Sequence, residues 1–142
     1  MRLSIRSEYA CLALIELARA PHGELTRIED ISRNYRIPKK YLEIILLSLR
    51  KAGYLESRRG VNGGYRLARP PDTITVAEII RLIDGPLAPV KSASKYFYEH
   101  SPLEKCPAML NLMKDVRDLV AAKMEQTSFG MLTNEKAIRR KS

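Results

Sequence analysis

Cysteine and histidine are scarce in this 142-residue chain, and their scarcity excludes a good deal. Cys11 and Cys106 stand far apart with no CxxC spacing, so a disulfide scaffold and a zinc site built from cysteine alone are both excluded. His22 and His100 are the two histidines, which leaves little for general acid–base chemistry. The chain lacks a phosphate-cradling GxxxxGK loop, an HExxH pair and a GxSxG elbow, so it is not expected to be an enzyme. No apolar run approaches the roughly 20 residues that span a bilayer. The opening Met1-Arg2-Leu3-Ser4-Ile5-Arg6 has no uninterrupted apolar stretch of the signal-peptide kind. The expectation is a cytoplasmic protein with no membrane partner, both cysteines being free thiols.

What the chain holds in quantity is positive charge, unevenly placed. Lys and Arg number 25 against 16 Asp and Glu, a formal net charge of +9. Residues 1–70 carry 14 basic against 7 acidic side chains, so +7 of that +9 lies in the first half. A basic half fits a polyanionic partner, because each neutralised phosphate releases condensed counterions. A merely solvated basic surface accounts for the charge equally well. Apolar residues, at 45%, suffice for a packed core.

Residues 3–20 read as an Ala- and Leu-rich helix stopped by Pro21 and Gly23. Glu8, Cys11, Ile15 and Ala18 share one face; Tyr9, Leu12, Ala13 and Leu17 occupy the next, which predicts a helix packed between other elements. Thr26-Arg27-Ile28-Glu29 has capping-box spacing, with Thr26 as N-cap of a short helix ending near Asn34. After the turn Tyr35-Arg36-Ile37, Pro38 suits the first turn of a helix reaching Ala52, with Gly53 as its stop. Leu42, Ile45, Leu46 and Leu49 make its inward stripe, leaving Lys39, Lys40, Glu43 and Arg50 on other faces. Strands over Tyr54–Ser57 and Tyr65–Leu67 flank a glycine-rich turn bearing Arg58, Arg59 and Asn62. Another helix is expected from Thr75 to Asp84, ended by Gly85-Pro86. A long irregular stretch over 86–106 then precedes a helix from Pro107 to about Gln126, with Cys106 near its N-cap. Met109, Leu110, Met113, Val116, Leu119, Val120 and Met124 give that helix a wide apolar stripe.

Helix, short turn, helix and arginine-tipped hairpin together make a mainly α fold with a small β-hairpin wing, the layout of a winged helix-turn-helix. A helix fits the DNA major groove, where base edges differ in donor and acceptor pattern. Its leading residues face the bases, which makes Lys39, Lys40, Tyr41 and Glu43 candidate readers, with Arg50 further along. The wing can lay Arg58 or Arg59 on the sugar-phosphate backbone or in a narrow minor groove, with Asn62 beside them. Each piece alone has an ordinary explanation as solvated surface or simple connection. A protein–protein adaptor that uses a winged helix without binding DNA is the competing class.

The runs Tyr41-Leu42-Glu43, Leu49-Arg50-Lys51-Ala52-Gly53-Tyr54-Leu55 and Arg59-Gly60-Val61-Asn62-Gly63-Gly64-Tyr65-Arg66-Leu67 resemble the Rrf-type winged helix-turn-helix regulators. That family includes an iron–sulfur cluster regulator, a nitric-oxide-sensing repressor and a cysteine-metabolism repressor. Met1-Arg2-Leu3 with Tyr9-Ala10, and Val76-Ala77-Glu78-Ile79-Ile80 with Asp84, extend the resemblance over about residues 1–130. The resemblance implies a repressor that binds double-stranded operator DNA as a homodimer built on helix 107–126. It also implies contacts at Tyr41, Glu43 and Arg59. Pro38 and Lys40 replace small hydroxyl residues common early in that helix, and Arg36 stands where glycine is frequent. The implied organisation is a DNA-binding domain over 1–84, a sensor-type loop over 85–106, a dimerisation helix with its extension over 107–132, and a flexible tail over 133–142.

Cluster-bearing members place three cysteines in the loop before the dimer helix. Here only Cys106 matches, so the ordinary three-cysteine cluster is ruled out. Two readings stay open. Cys106, His100 and residues from helix 1 of a partner subunit (Glu8, with Cys11 one turn on) could hold an atypical 2Fe–2S centre or another transition metal. Alternatively Cys11 is a small buried hydrophobe, His100 a loop residue and Cys106 an incidental cap, which is the simpler account. The run Tyr96-Phe97-Tyr98 would line a ligand pocket, meet a partner or, most simply, pack on the dimer helix.

Overall fold

Helix α1 (Ile5–Arg19) opens where the Ser4 side chain accepts the Ser7 N–H. Asp84 in turn accepts the Ser4 N–H at 2.9 Å, tying this end to a helix far along the chain. The computed structural model describes residues 2–95 and 98–133. The most buried face of α1 is Ala10, Ala13, Leu14 and Leu17, whereas Cys11, Leu12, Ile15 and Ala18 are half-buried and Glu8 is exposed.

Helices α2 (Ile28–Tyr35) and α3 (Lys39–Lys51) are joined by a tight turn. Arg36 adopts the left-handed conformation at φ 53°, the geometry for which glycine is favoured. The backbone N–H groups of Arg36 and Ile37 both return to the Ser32 carbonyl, and the Ser32 hydroxyl donates to the Ile37 carbonyl at 2.6 Å. The expected capping box at Thr26 is not formed: Arg27 is the N-cap, without a side-chain hydrogen bond. Thr26 instead exchanges two backbone hydrogen bonds of 2.8 Å with Tyr65, so its main chain extends the wing rather than starting the helix. Pro38 is likewise the N-cap of α3 and not part of its first turn. The inward stripe of α3, Leu42, Ile45, Leu46 and Leu49, is buried as expected.

Strands β1 (Leu55–Arg58) and β2 (Gly64–Leu67) pair antiparallel, Leu55 opposite Leu67 and Arg58 opposite Gly64. Gly64, at φ 154°, leaves no room for a side chain: a Cβ there would sit 2.6 Å from the Thr26 carbonyl oxygen. Helix α4 (Val76–Asp84) has a complete capping box between Thr75 and Glu78. Glu78 also accepts the Tyr54 hydroxyl at 2.8 Å and lies 3.7 Å from Arg69, whose guanidinium sits 4.4 Å over the Tyr54 ring. One carboxylate therefore ties the wing base to α4.

The stretch between α4 and the next helix contains 3-10 turns at Lys91–Ala93 and Pro102–Lys105. Tyr96 and Phe97, of the aromatic run, and residues 134–142, of the expected tail, lie outside the described residues. Tyr98 is 58% exposed rather than packed away, and its hydroxyl donates to Glu104. Helix α5 (Pro107–Glu125) starts with Cys106 as N-cap and has no fully buried residue along its length. Met124 packs against the small cluster of Ala77, Ile80 and Leu87, but Met109, Leu112 and Leu119 are exposed.

The chain then turns back. Val76 donates to the Thr127 carbonyl and Phe129 to the Ile74 carbonyl, both at 2.9 Å. Helix α6 (Phe129–Leu132) places Phe129, fully buried, in the same core as α1 and α3. The segment that follows the long helix is thus part of the winged unit's interior.

Candidate nucleic-acid interface

Every one of the eight candidate contact residues is exposed: Lys39, Lys40, Tyr41, Glu43 and Arg50 on α3, and Arg58, Arg59 and Asn62 on the wing. The burial of Leu42, Ile45, Leu46 and Leu49 forces this on α3, since a helix with one face in the core must present the opposite face outward. Arg50 and Ser57, 3.3 Å apart, join the far end of α3 to β1 and fix how the wing stands beside it. Glu43 and Arg50 from the helix, and Arg58 and Arg59 from the wing, line one open groove of about 380 Å³. Lys39, Lys40, Tyr41 and Asn62 lie outside that groove.

The electrostatics sort the basic residues into two kinds. Arg66 is cross-strand partner to Glu56 at 2.9 Å, directly opposite in register, and reaches the Gly23 carbonyl at 3.3 Å. Its work is to brace the hairpin. Among the described residues no carboxylate engages Arg58 or Arg59, so both guanidinium groups face solvent without an ion-pair partner. At the tip, a Cβ on Gly63 would fall 2.1 Å from the Arg58 carbonyl oxygen, so only glycine lets the turn close with those arginines outward.

Sequence reasoning missed the contribution of α2. Arg27, Ile28 and Glu29 line the same groove, brought there by the backbone bridge between Thr26 and Tyr65. Glu29 also holds Lys39 at 3.1 Å, and its carboxyl is held below the ordinary range by a backbone hydrogen bond first and the Lys39 ammonium second. Lys39 is thus partly neutralised, while Lys40 has no such restraint among the described residues. A basic residue, Arg27, at the start of α2 was the available signal, and the capping-box pattern obscured it.

Residues 3–135 match the Rrf2 family, described as iron-dependent transcriptional regulators. The chain belongs to this family. Among Rrf2 relatives, the HTH-type transcriptional regulator CymR of Bacillus subtilis is 34% identical over 129 residues, 90% of this chain and 86% of that one. The solved structure of B. subtilis CymR, titled the global cysteine regulator, superposes with a TM-score of 0.76 at 30% identity, covering 95% of this chain and 98% of CymR. A putative HTH-type transcriptional regulator of Mycobacterium tuberculosis is 43% identical over 91 residues, or 64% of this chain; those residues span 56% of its length. The mainly helical winged-helix fold expected from the residues is the fold of these regulators.

The family description invites iron, and the donors in one chain do not fit it. Among the described residues no group of three or more His, Cys, Asp or Glu side chains converges as a metal site would require. Cys11 is half-buried, and its thiol is pushed up to about 11, by burial first and by the Asp84 charge second, so it rests as a protonated thiol in the chain as it stands. His100 is paired through Nδ1 with Glu104, and Cys106 stands exposed. Glu8 is exposed on α1. No helix among the described residues is long and apolar enough to cross a membrane.

Proposed function

We propose that the protein is a cytoplasmic repressor that binds a roughly palindromic operator as a homodimer, with α3 in the major groove and the wing along the backbone. The observation that carries this reading is the groove that Glu43, Arg50, Arg58 and Arg59 share. It sets an exposed helix face beside two unpaired arginines, the pairing of a base-facing helix with backbone-binding cations that docking on a duplex needs. Lys40, Tyr41 and Glu43 are the base-facing residues; Lys39, Arg58, Arg59 and Asn62 serve the backbone. Helix α5 supports the dimer, because Met109, Leu112 and Leu119 expose apolar surface that the chain itself leaves uncovered. A C2 pair would present two copies of α3 to two half-sites on one face of the duplex.

Selection of operator sequences from random duplex, followed by binding across a salt series, tests the reading. A regulator of this kind selects a two-fold sequence and also binds random DNA weakly, with steep salt dependence. Glu43→Ala should relax preference at one base pair of each half-site, at a cost of about 1–3 kcal/mol. A chain that selects nothing and shows no salt-dependent binding would instead be the adaptor.

A further inference from the structure

Helix α3 turns an aliphatic ridge outward. With Leu42, Ile45, Leu46 and Leu49 in the core, residues advancing by about 100° per position put Lys40, Ile44, Leu47 and Lys51 diametrically opposite. Ile44 is 57% exposed and Leu47 40% exposed, and the lysines flanking them are exposed too. Leu47 borders the same groove as Glu43, Arg58 and Arg59, so the ridge is continuous with the surface already assigned to DNA. A β-branched side chain at such a position gains nothing from water and lowers helix propensity relative to alanine. Neither residue packs in either core cluster.

The major groove offers one apolar feature on its base edges, the C5-methyl group of thymine. We propose that Ile44 is a specificity-determining residue that packs on a thymine methyl in each operator half-site, with Leu47 flanking the contact. This rests on α3 entering the major groove as described above. Lys51 at the far end of the ridge suits that occupant, since phosphates border the groove. Ile44 supplies what Glu43 and Lys40 cannot, discrimination for a base pair that carries a methyl group.

The test uses the full-length protein and an operator selected from random duplex. Each thymine is replaced in turn by uracil, which removes the methyl and keeps every base-pairing group. Burial of one methyl-sized group predicts about a four-fold loss of affinity per half-site, and about fifteen-fold when both symmetry-related thymines are changed. Ile44→Ala should bind the thymine operator more weakly and lose its sensitivity to that uracil replacement. Uracil without effect at every position would overturn the proposal while leaving DNA binding intact, as would an Ile44→Ala variant that keeps the full uracil penalty. A penalty abolished by Leu47→Ala and not by Ile44→Ala would move the contact to Leu47. Ile44→Ala that changes oligomeric state in size-exclusion chromatography, with the uracil penalty retained, would assign the ridge to a second copy of the chain. Absence of any selected sequence would instead refute the operator reading on which the proposal stands.

Discussion

Phe129 offers the sharpest test of how the molecule is assembled. It lies beyond the long helix, yet it is fully buried among residues of α1 and α3. Truncation to alanine removes most of an aromatic side chain that buries roughly 150–250 Å² and leaves a cavity whose walls relax only partly. Phe→Ala changes in cores cost about 3–5 kcal/mol. With no exposed fraction to discount, Phe129→Ala should cost about 4 kcal/mol, a large share of the roughly 5–15 kcal/mol that holds a domain together. In urea denaturation, with a slope of about 2 kcal/mol/M, the midpoint should fall by about 2 M. Phe129→Leu, which refills most of the space, should lose much less. Both variants are compared with the parent at one protomer concentration, since self-association of the kind proposed would add to apparent stability. A loss below about 1 kcal/mol for the alanine variant would mean that α6 is an appendage of α5, and the account of the core given above would be wrong.

Three further outcomes are expected. Arg59→Ala should weaken DNA binding and lower the slope of log affinity against log salt by about 1; an unchanged slope would remove Arg59 from the phosphate contacts. Burial pushes the Glu78 carboxyl up, but the Thr75 backbone N–H, the hydroxyls of Tyr54 and Thr75 and the Arg69 charge outweigh it, so the net shift is downward. A depressed native value stabilises the fold above the ordinary glutamate pKa of about 4.3, and that contribution is lost as pH falls through the native value. Glu78→Gln should therefore be less stable than the parent at pH 7, with the gap in urea midpoints closing in acid; a gap of equal size at pH 3 would refute the charge argument. Because the Cys11 thiol is pushed up to about 11, only about one in a thousand is ionised at pH 8. Maleimide should label exposed Cys106 first, as read by mass spectrometry of Cys11→Ala and Cys106→Ala variants, and equal rates would contradict the burial of Cys11.

Helix α3 was legible because four large aliphatic residues at helical spacing leave one way to bury them. Helix α1 was legible as an element but not in its orientation. Alanines at positions 10 and 13 carry little hydrophobic signal, yet the core covers them as completely as Leu14, while Cys11 and Ile15 remain half-buried. Thr26 shows a different failure. The same four residues satisfy a capping box and a strand bridge, and the choice was made by Tyr65, whose main chain is remote in sequence. Thr75 also bridges to a remote residue, Ser128, but the hydrogen bonds there use the backbone of Ile74 and Val76. That leaves the Thr75 N–H and hydroxyl to Glu78, and the capping box forms. Phe129 had no periodic context at all, being one aromatic between Ser128 and Gly130; only its tertiary partners identify it as core.

For the candidate interface, residue type and exposure could be read from the chain, but pairing could not. Lys39 and Lys40 look equivalent in sequence, yet Glu29 holds one and not the other because the Arg36 turn brings the start of α2 up to the start of α3. A similar limit applied to the loop and the long helix. Arg117 donates to the Ala93 carbonyl at 2.7 Å, Arg81 pairs with Glu125 at 2.6 Å, and Phe129 is seated in the core beyond. Helix α5 is therefore tied to the preceding loop near its middle, and to the winged unit at its end and through the segment that follows. A displacement of α5 that left α3 in place would have to break the last two attachments together. The cheaper motion carries the winged unit with α5, which in a dimer changes the separation of the two α3 helices rather than the shape of either.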